Sequence, residues 1–177
     1  MHVSGASDES GGLVDGARGG RPEALAALYR GHGAALYRLA YRLTGTREDA
    51  EDVLHDVFVG LSEALARYEE RGNLAGWLKR VTARVALGRV RSRKRRGEVP
   101  LELAGPGSEP LADPDGIALQ VAVNQLPNRL RDVIVLKEIE GYSHREVADL
   151  LGISVVASRV RAHRGLARLR QLLEDGR

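Results

Sequence analysis

With 177 residues, an apolar share of 43% and a net charge of +3, the chain has room for one ordinary domain or two small ones. The absence of cysteine excludes disulfides, thiolate metal sites and thiol redox chemistry, and five scattered histidines without a paired spacing offer no metal site. No apolar run approaches a membrane span, and residues 1–20 are too polar for a signal peptide, so a cytoplasmic protein with no cofactor and no membrane partner is expected.

Met1 to Gly20 is rich in Gly, Ser and Asp and is expected to be a disordered tail, because it has little apolar surface to offset its ordering entropy. From Arg21 the pattern turns helical. Pro22 suits a first turn, and Leu25, Leu28, Tyr29, Ala35, Leu36, Leu39, Ala40 and Leu43 follow at spacings of three and four, as one helix or two in succession, up to a stop at Gly45. Thr46 then caps a helix in which Ala50, Leu54, Val57, Phe58, Leu61 and Leu65 form the buried stripe. Asp49, Asp52, Asp56 and Glu63 fall on another face, with no lysine or arginine from Glu48 to Ala66. Acids in the first turns favour the helix dipole, but Asp56 and Glu63 lie too far along for that, which leaves docking to a basic partner as the alternative.

A polar loop leads to Trp77, and Trp77 to Arg96 carries lysines and arginines with no acid among them, while Leu78, Val81, Val85 and Leu87 recur at helical spacing. Such a helix repels itself unless a polyanion relieves it, and nucleic acid is the usual one; a solvated basic face or a membrane-surface helix is the alternative. From Gly97 to Gly116 the chain holds four of its six prolines, and every charge is acidic, which predicts a flexible linker.

The second half opens with Ile117, Leu119, Val121 and Val123 in a short helix ending at Leu126-Pro127, followed by a helix with Leu130, Val133, Ile134, Leu136 and Ile139. Ser143 and Glu146 form a capping box ahead of Val147, Ala148, Leu150 and Leu151. A tight turn at Gly152 precedes a basic final helix with Arg159, Arg161, His163, Arg164, Arg168 and Arg170. Two helices around a short glycine turn, the second basic, predict a helix-turn-helix whose second helix enters a major groove. The expected fold is therefore all-α: residues 21–96 and 117–177 as two small helical domains joined by residues 97–116, the C-terminal one a helix-turn-helix. Two weak nucleic-acid sites on one chain make one bivalent reader.

Leu36 to Phe58, with Trp77-Leu78 and the arginine cluster, resembles the second conserved region of bacterial RNA polymerase sigma factors of the extracytoplasmic-function (ECF) group. Leu126 to Ser154 resembles their fourth region; D-A-E-D-V in one half and L-P-x-x-x-R with E-G-Y-S-x-x-E-V-A in the other carry the likeness. The resemblance implies RNA polymerase core as a partner, its beta-prime coiled coil meeting Asp49, Glu51, Asp52, Asp56 and Phe58. It implies minus-ten promoter DNA at Tyr68, Arg71, Asn73, Trp77, Arg80, Arg84 and Arg91, with a base flipped near the loop before Trp77. It implies minus-thirty-five DNA at Arg159, Arg161, His163 and Arg164, an acidic linker threading the polymerase cleft, and, as in many of the group, an anti-sigma factor.

Where the group commonly has Asn and Asp in the minus-ten helix, this chain has Arg84 and Gly88, and in the last helix Ser158 and Ala162 stand where larger apolar residues are usual. Either the domain packs loosely there, or Val156 and Val160 turn inward by a small rotation or a one-residue register change. A stand-alone helix-turn-helix regulator is the competing reading. An enzyme is disfavoured, since no paired carboxylates, phosphate-cradling glycine loop or nucleophile with a base is evident.

Overall fold

The computed structural model describes residues 5–69, 73–97 and 114–175, and among them there is helix but no strand. The first module is α1 (Gly5–Arg18), α2 (Pro22–Thr44), α3 (Arg47–Val59), α4 (Leu61–Leu65) and α5 (Leu74–Arg95). The second is α6 (Pro114–Gln125), α7 (Asn128–Ile134), α8 (His144–Leu151) and α9 (Val155–Asp175).

The tail expected at Met1 to Gly20 is corrected from Gly5 onward by α1, residues 1–4 lying outside the described residues. Val14 and Ala17 are buried, and Leu13 packs beside them on the cluster formed by Leu28, Leu36, Leu54, Leu61, Leu65 and Leu78. Arg18 completes the attachment: its Nε donates to the Leu65 carbonyl at 3.1 Å and its Nη2 to that of Tyr68 at 3.1 Å. Segment composition averages over all faces of a helix, whereas burial requires only one narrow apolar stripe and a cation to meet orphan carbonyls.

The residues beyond Arg21 form one continuous helix, α2, which starts with Pro22 and ends where Gly45 takes the left-handed conformation, φ 84°. Thr46 caps α3: its Oγ1 accepts from the Asp49 amide at 3.2 Å. The next apolar stripe is carried by two helices, because the chain breaks at Gly60 before α4 begins.

In the second module Leu126-Pro127 ends α6, and the buried Arg131 explains the spacing L-P-x-x-x-R. Its Nη2 donates to the carbonyls of Asn124 at 2.8 Å and Leu126 at 3.0 Å, satisfying the end of α6 from the first turns of α7. Burial lowers the Arg131 pKa from the usual arginine value, opposed by the neighbouring Asp132 carboxylate. Val135–Ile139 prolong α7 as a π-helical turn, in which the Glu140 amide reaches the Val135 carbonyl at 2.9 Å. The Ser143/Glu146 capping box is present, and Gly152 closes α8 at φ 64°.

The question left at Ser158 and Ala162 is settled by close packing without rotation. Both are buried, while Val156 and Val160 face outward. Ser158 Oγ lies 3.0 Å from His144 Nδ1, and a Cβ on Gly165 would stand 2.7 Å from Ile134 Cγ1. Small residues on this face let α9 lie against α7 and α8 at short range.

The two modules share one core cluster, while a second cluster lies within the first module alone. Leu39, Leu43, Val53, Ala86 and Leu87 of the first module belong to the same buried cluster as Val123, Leu126, Val133, Leu136 and Val147 of the second. Of the expected linker, residues 98–113 lie outside the described residues, and α6 already begins at Pro114. Because Ile134 is buried and a Cβ on Gly165 would stand inside contact distance of it, Gly165→Val is expected to cost roughly 1–3 kcal/mol by overpacking. A lower denaturant midpoint at unchanged slope is the predicted readout.

Candidate functional site

The acids of α3 divide into two groups. Asp49 is buried: its carboxylate accepts from Thr46 Oγ1 at 2.9 Å and Arg89 Nε at 2.9 Å and is also paired with Arg93. Burial pushes its pKa up, but the Arg89 and Thr46 hydrogen bonds and the charges of Arg93 and Arg89 outweigh that and hold it below the usual carboxylate value. Asp49 thus fastens α3 to α5. Glu51, Asp52 and Asp56 are exposed, together with Glu48, His55 and Val59. These last three belong to the same ridge at three- and four-residue spacing, a signal already present in the sequence. Arg89 also reaches Asp52, and Asp56 at 3.7 Å, while Glu51 pairs with Arg47 at 2.7 Å. Phe58 is half-buried, edge-on to Tyr29 with ring centroids 5.0 Å apart; Tyr29 is 51% and Val59 71% exposed.

The residues expected to meet minus-ten DNA occupy three environments. Tyr68 is buried, its ring 4.9 Å from that of the half-buried Trp77, so both belong to the core of the first module. Asn73 caps α5, its Oδ1 accepting from the Gly76 amide at 3.0 Å; Arg71 lies outside the described residues. Arg80, Arg84 and Arg91 are exposed and follow Trp77 at helical spacing, so they form one outward line on α5. Gly88 sits on that line, and a Cβ there would meet nothing within 4 Å.

The second module approaches α5 beside this line. Glu140, just beyond the π-helical turn, accepts from Arg42 Nη1 at 3.1 Å and Lys79 Nζ at 2.8 Å, and its side chain is only 5% exposed. Glu146 pairs with Arg80 while also serving the α8 capping box. Asp132 of α7 is half-buried; burial pushes its pKa up to about 6, against the opposing charges of Arg131, Lys94, Arg161 and Arg91. Nothing local in the sequence marks the pairing of Glu140 with Lys79, since the two residues lie 61 positions apart.

On α9, Arg159, His163 and Arg164 are exposed, whereas Arg161 is half-buried on the flank toward Asp132. Val156, Arg159, Val160 and His163 share one outward stripe. Among the described residues, no group of histidines and acids could hold a metal ion, and no helix is long and apolar enough to cross a membrane.

Residues 28–96 match the family described as sigma-70 region 2, and residues 117–169 match sigma-70 region 4. The ECF RNA polymerase sigma factor SigM of Mycobacterium tuberculosis is 32% identical over 147 residues, covering 82% of this chain and 75% of that protein. The chain belongs to the sigma-70 family, among the ECF RNA polymerase sigma factors. SigE of Mycolicibacterium smegmatis is 36% identical over 158 residues, 82% of this sigma factor but 60% of SigE. The solved structure of CnrH in complex with the cytosolic domain of CnrY aligns at a TM-score of 0.59 and 29% identity, covering 92% of this chain and 96% of that one. The sigma factor RpoE, solved with the anti-sigma factor NepR from Bartonella quintana, aligns at 0.65 and 24% identity, over 81% and 92%, and shares the fold. Within this sigma factor the buried Asp49 stands in the D-A-E-D-V run, so that acid serves the region 2 fold.

Two outcomes follow from these environments. Gly88→Ala is expected to raise stability by about 0.5–1 kcal/mol through helix propensity alone, seen as a higher denaturant midpoint. The raised pKa of Asp132 means that the fold binds its proton more tightly than the unfolded chain does. Its contribution is full below pH 4 and is lost as pH rises through about 6. Asp132→Asn is expected to flatten that decline, of order 2 kcal/mol, and to raise the melting temperature at pH 7.5 relative to wild type, measured across pH 4.5–7.5.

Proposed function

We propose that this chain is a non-catalytic, dissociable subunit of RNA polymerase that supplies promoter recognition and melting in the cytoplasm. The observation that carries the reading is the presence, in order on one chain, of sigma regions 2 and 4, each with exposed arginines on its basic helix. Polymerase core would meet the α3 ridge through Glu51, Asp52 and Asp56, with Glu48 at its start and the apolar Phe58 and Val59 at its far end. A basic coiled coil, beta-prime in this family, is the complementary surface. Asp49, committed to Arg89 and Arg93, would act by holding α3 in place.

Arg80, Arg84 and Arg91 would follow the minus-ten strand by phosphate contact, and Arg71 would join them from the loop. Tyr68 and Trp77 would support the strand site from the core, and Asn73 would set where α5 begins. Arg159, His163 and Arg164 would meet the minus-thirty-five duplex, with Arg161 at its flank. Promoter binding would exchange the Glu146 contact of Arg80 for phosphate. Reaching two boxes at once would part the modules at the Glu140 junction, with polymerase contacts compensating for the surface uncovered. An anti-sigma factor that held the modules together would oppose that step.

The test is run-off transcription by core polymerase with and without the chain, with mapped start sites; specific start sites are the expected result. Tight duplex binding without polymerase, and no effect on core, would mark a stand-alone regulator instead. Replacing the outer acids by Asp52→Lys with Asp56→Lys is expected to weaken association with core at least tenfold while circular dichroism stays unchanged. Unchanged association would remove the α3 ridge from the interface.

A further inference from the structure

We infer that Val156 and Val160 are specificity-determining residues, which read thymine 5-methyl groups in the major groove of the minus-thirty-five duplex. The inference rests on the reading that α9 docks on duplex promoter DNA, and it assigns a base preference to that contact.

Val156 is 68% and Val160 43% exposed, at the N-terminal end of α9, while the inward side of the same turns holds Ser158 and Ala162. This reverses the usual distribution, in which branched apolar residues fill the core and small polar ones face water. The helix cannot correct it by rolling: Ser158 is held against His144 Nδ1 at 3.0 Å, and Gly165 lies so close to Ile134 that no Cβ fits. Two valines are thereby kept on the surface at the start of the second helix of a helix-turn-helix, the part that enters a major groove in this motif.

Their surroundings specify the occupant. Arg159 and His163 lie on the same outward stripe and Arg164 beside it, all exposed, so any partner must be anionic and yet offer isolated apolar groups. In the major groove the apolar group on a base edge is the thymine methyl, and short aliphatic side chains are its natural contacts. The valines are one helical turn apart, about 6 Å along the axis, or roughly two base steps. Both methyls can then be met from one docked helix, with Arg159 between the valines free to reach a guanine edge or a phosphate.

Deoxyuridine replaces thymine without altering base pairing and removes only the methyl group. The experiment uses the full chain assembled with core polymerase on its mapped promoter, with deoxyuridine placed singly at each thymine of the minus-thirty-five box, on either strand. At one or two positions affinity should fall roughly fourfold, the worth of one buried methyl group. Val156→Ala or Val160→Ala should lower affinity for the thymine template by a similar factor and abolish sensitivity to deoxyuridine at the matching position. Both variants should fold, since alanine favours helix. Promoter selection with no methyl dependence anywhere would overturn this inference alone. Methyl dependence that survives in both variants would overturn it too, and would turn the valines over to a protein partner. Failure to select any promoter would overturn the underlying reading, and the assignment of the valines with it.

Discussion

A long helix with cations along its length and no acid of its own is held in this fold by acids from elsewhere in the chain. On one side of α5, Asp49 of α3 joins Arg89 and Arg93 at the half-buried contact between the two helices, and Asp52 and Asp56 extend the contact toward water. On another, Glu140 and Glu146 of the second module neutralise Lys79, Arg80 and the nearby Arg42. The half-buried Asp49 and Glu140 pairs operate where screening is weak, and each carboxylate meets two cations, so desolvation is offset by more than one partner. Arg84 and Arg91 remain outside these clusters, exposed on the outward line of α5.

The same constraint links stability to function. An acid that completes the fold and acids that stay exposed sit on one helix, within seven residues, and burial separates them: Asp49 inside, Asp52 and Asp56 at the rim. The glutamates that join the two modules likewise contact the helix whose arginines are the candidates for DNA. Such an interface can give up the exposed Arg80–Glu146 pair readily, whereas separating the buried Glu140 pairs and the apolar side chains beside them requires new contacts in their place.

Within the second module, the substitution of small residues for large ones strengthens contact between helices. Gly165 against Ile134 and Ser158 against His144 bring α9 close, and that close approach sets which way every other residue on α9 points. The outward Arg159 and His163 and the inward-leaning Arg161 are consequences of this register. Two valines at the surface are another.

The sequence by itself determined the helical class, most helix limits, the caps at Thr46 and Ser143, the left-handed stops at Gly45 and Gly152, and membership of two recognisable regions. These depend on residues within one or two turns of each other, where spacing and backbone preference are sufficient. Tertiary structure alone decided that the polar-looking N-terminus carries a docked helix, that Asp49 is buried in ion pairs while Asp52 faces out, that Tyr68 and Trp77 pack into the core, and that the two modules share a buried cluster. Each of these turns on which face of a helix meets which neighbour, often from residues forty or more positions away, as with Arg18 at the Leu65 carbonyl or Arg89 at Asp49. Local periodicity says that a helix has an inside; only packing says what the inside touches.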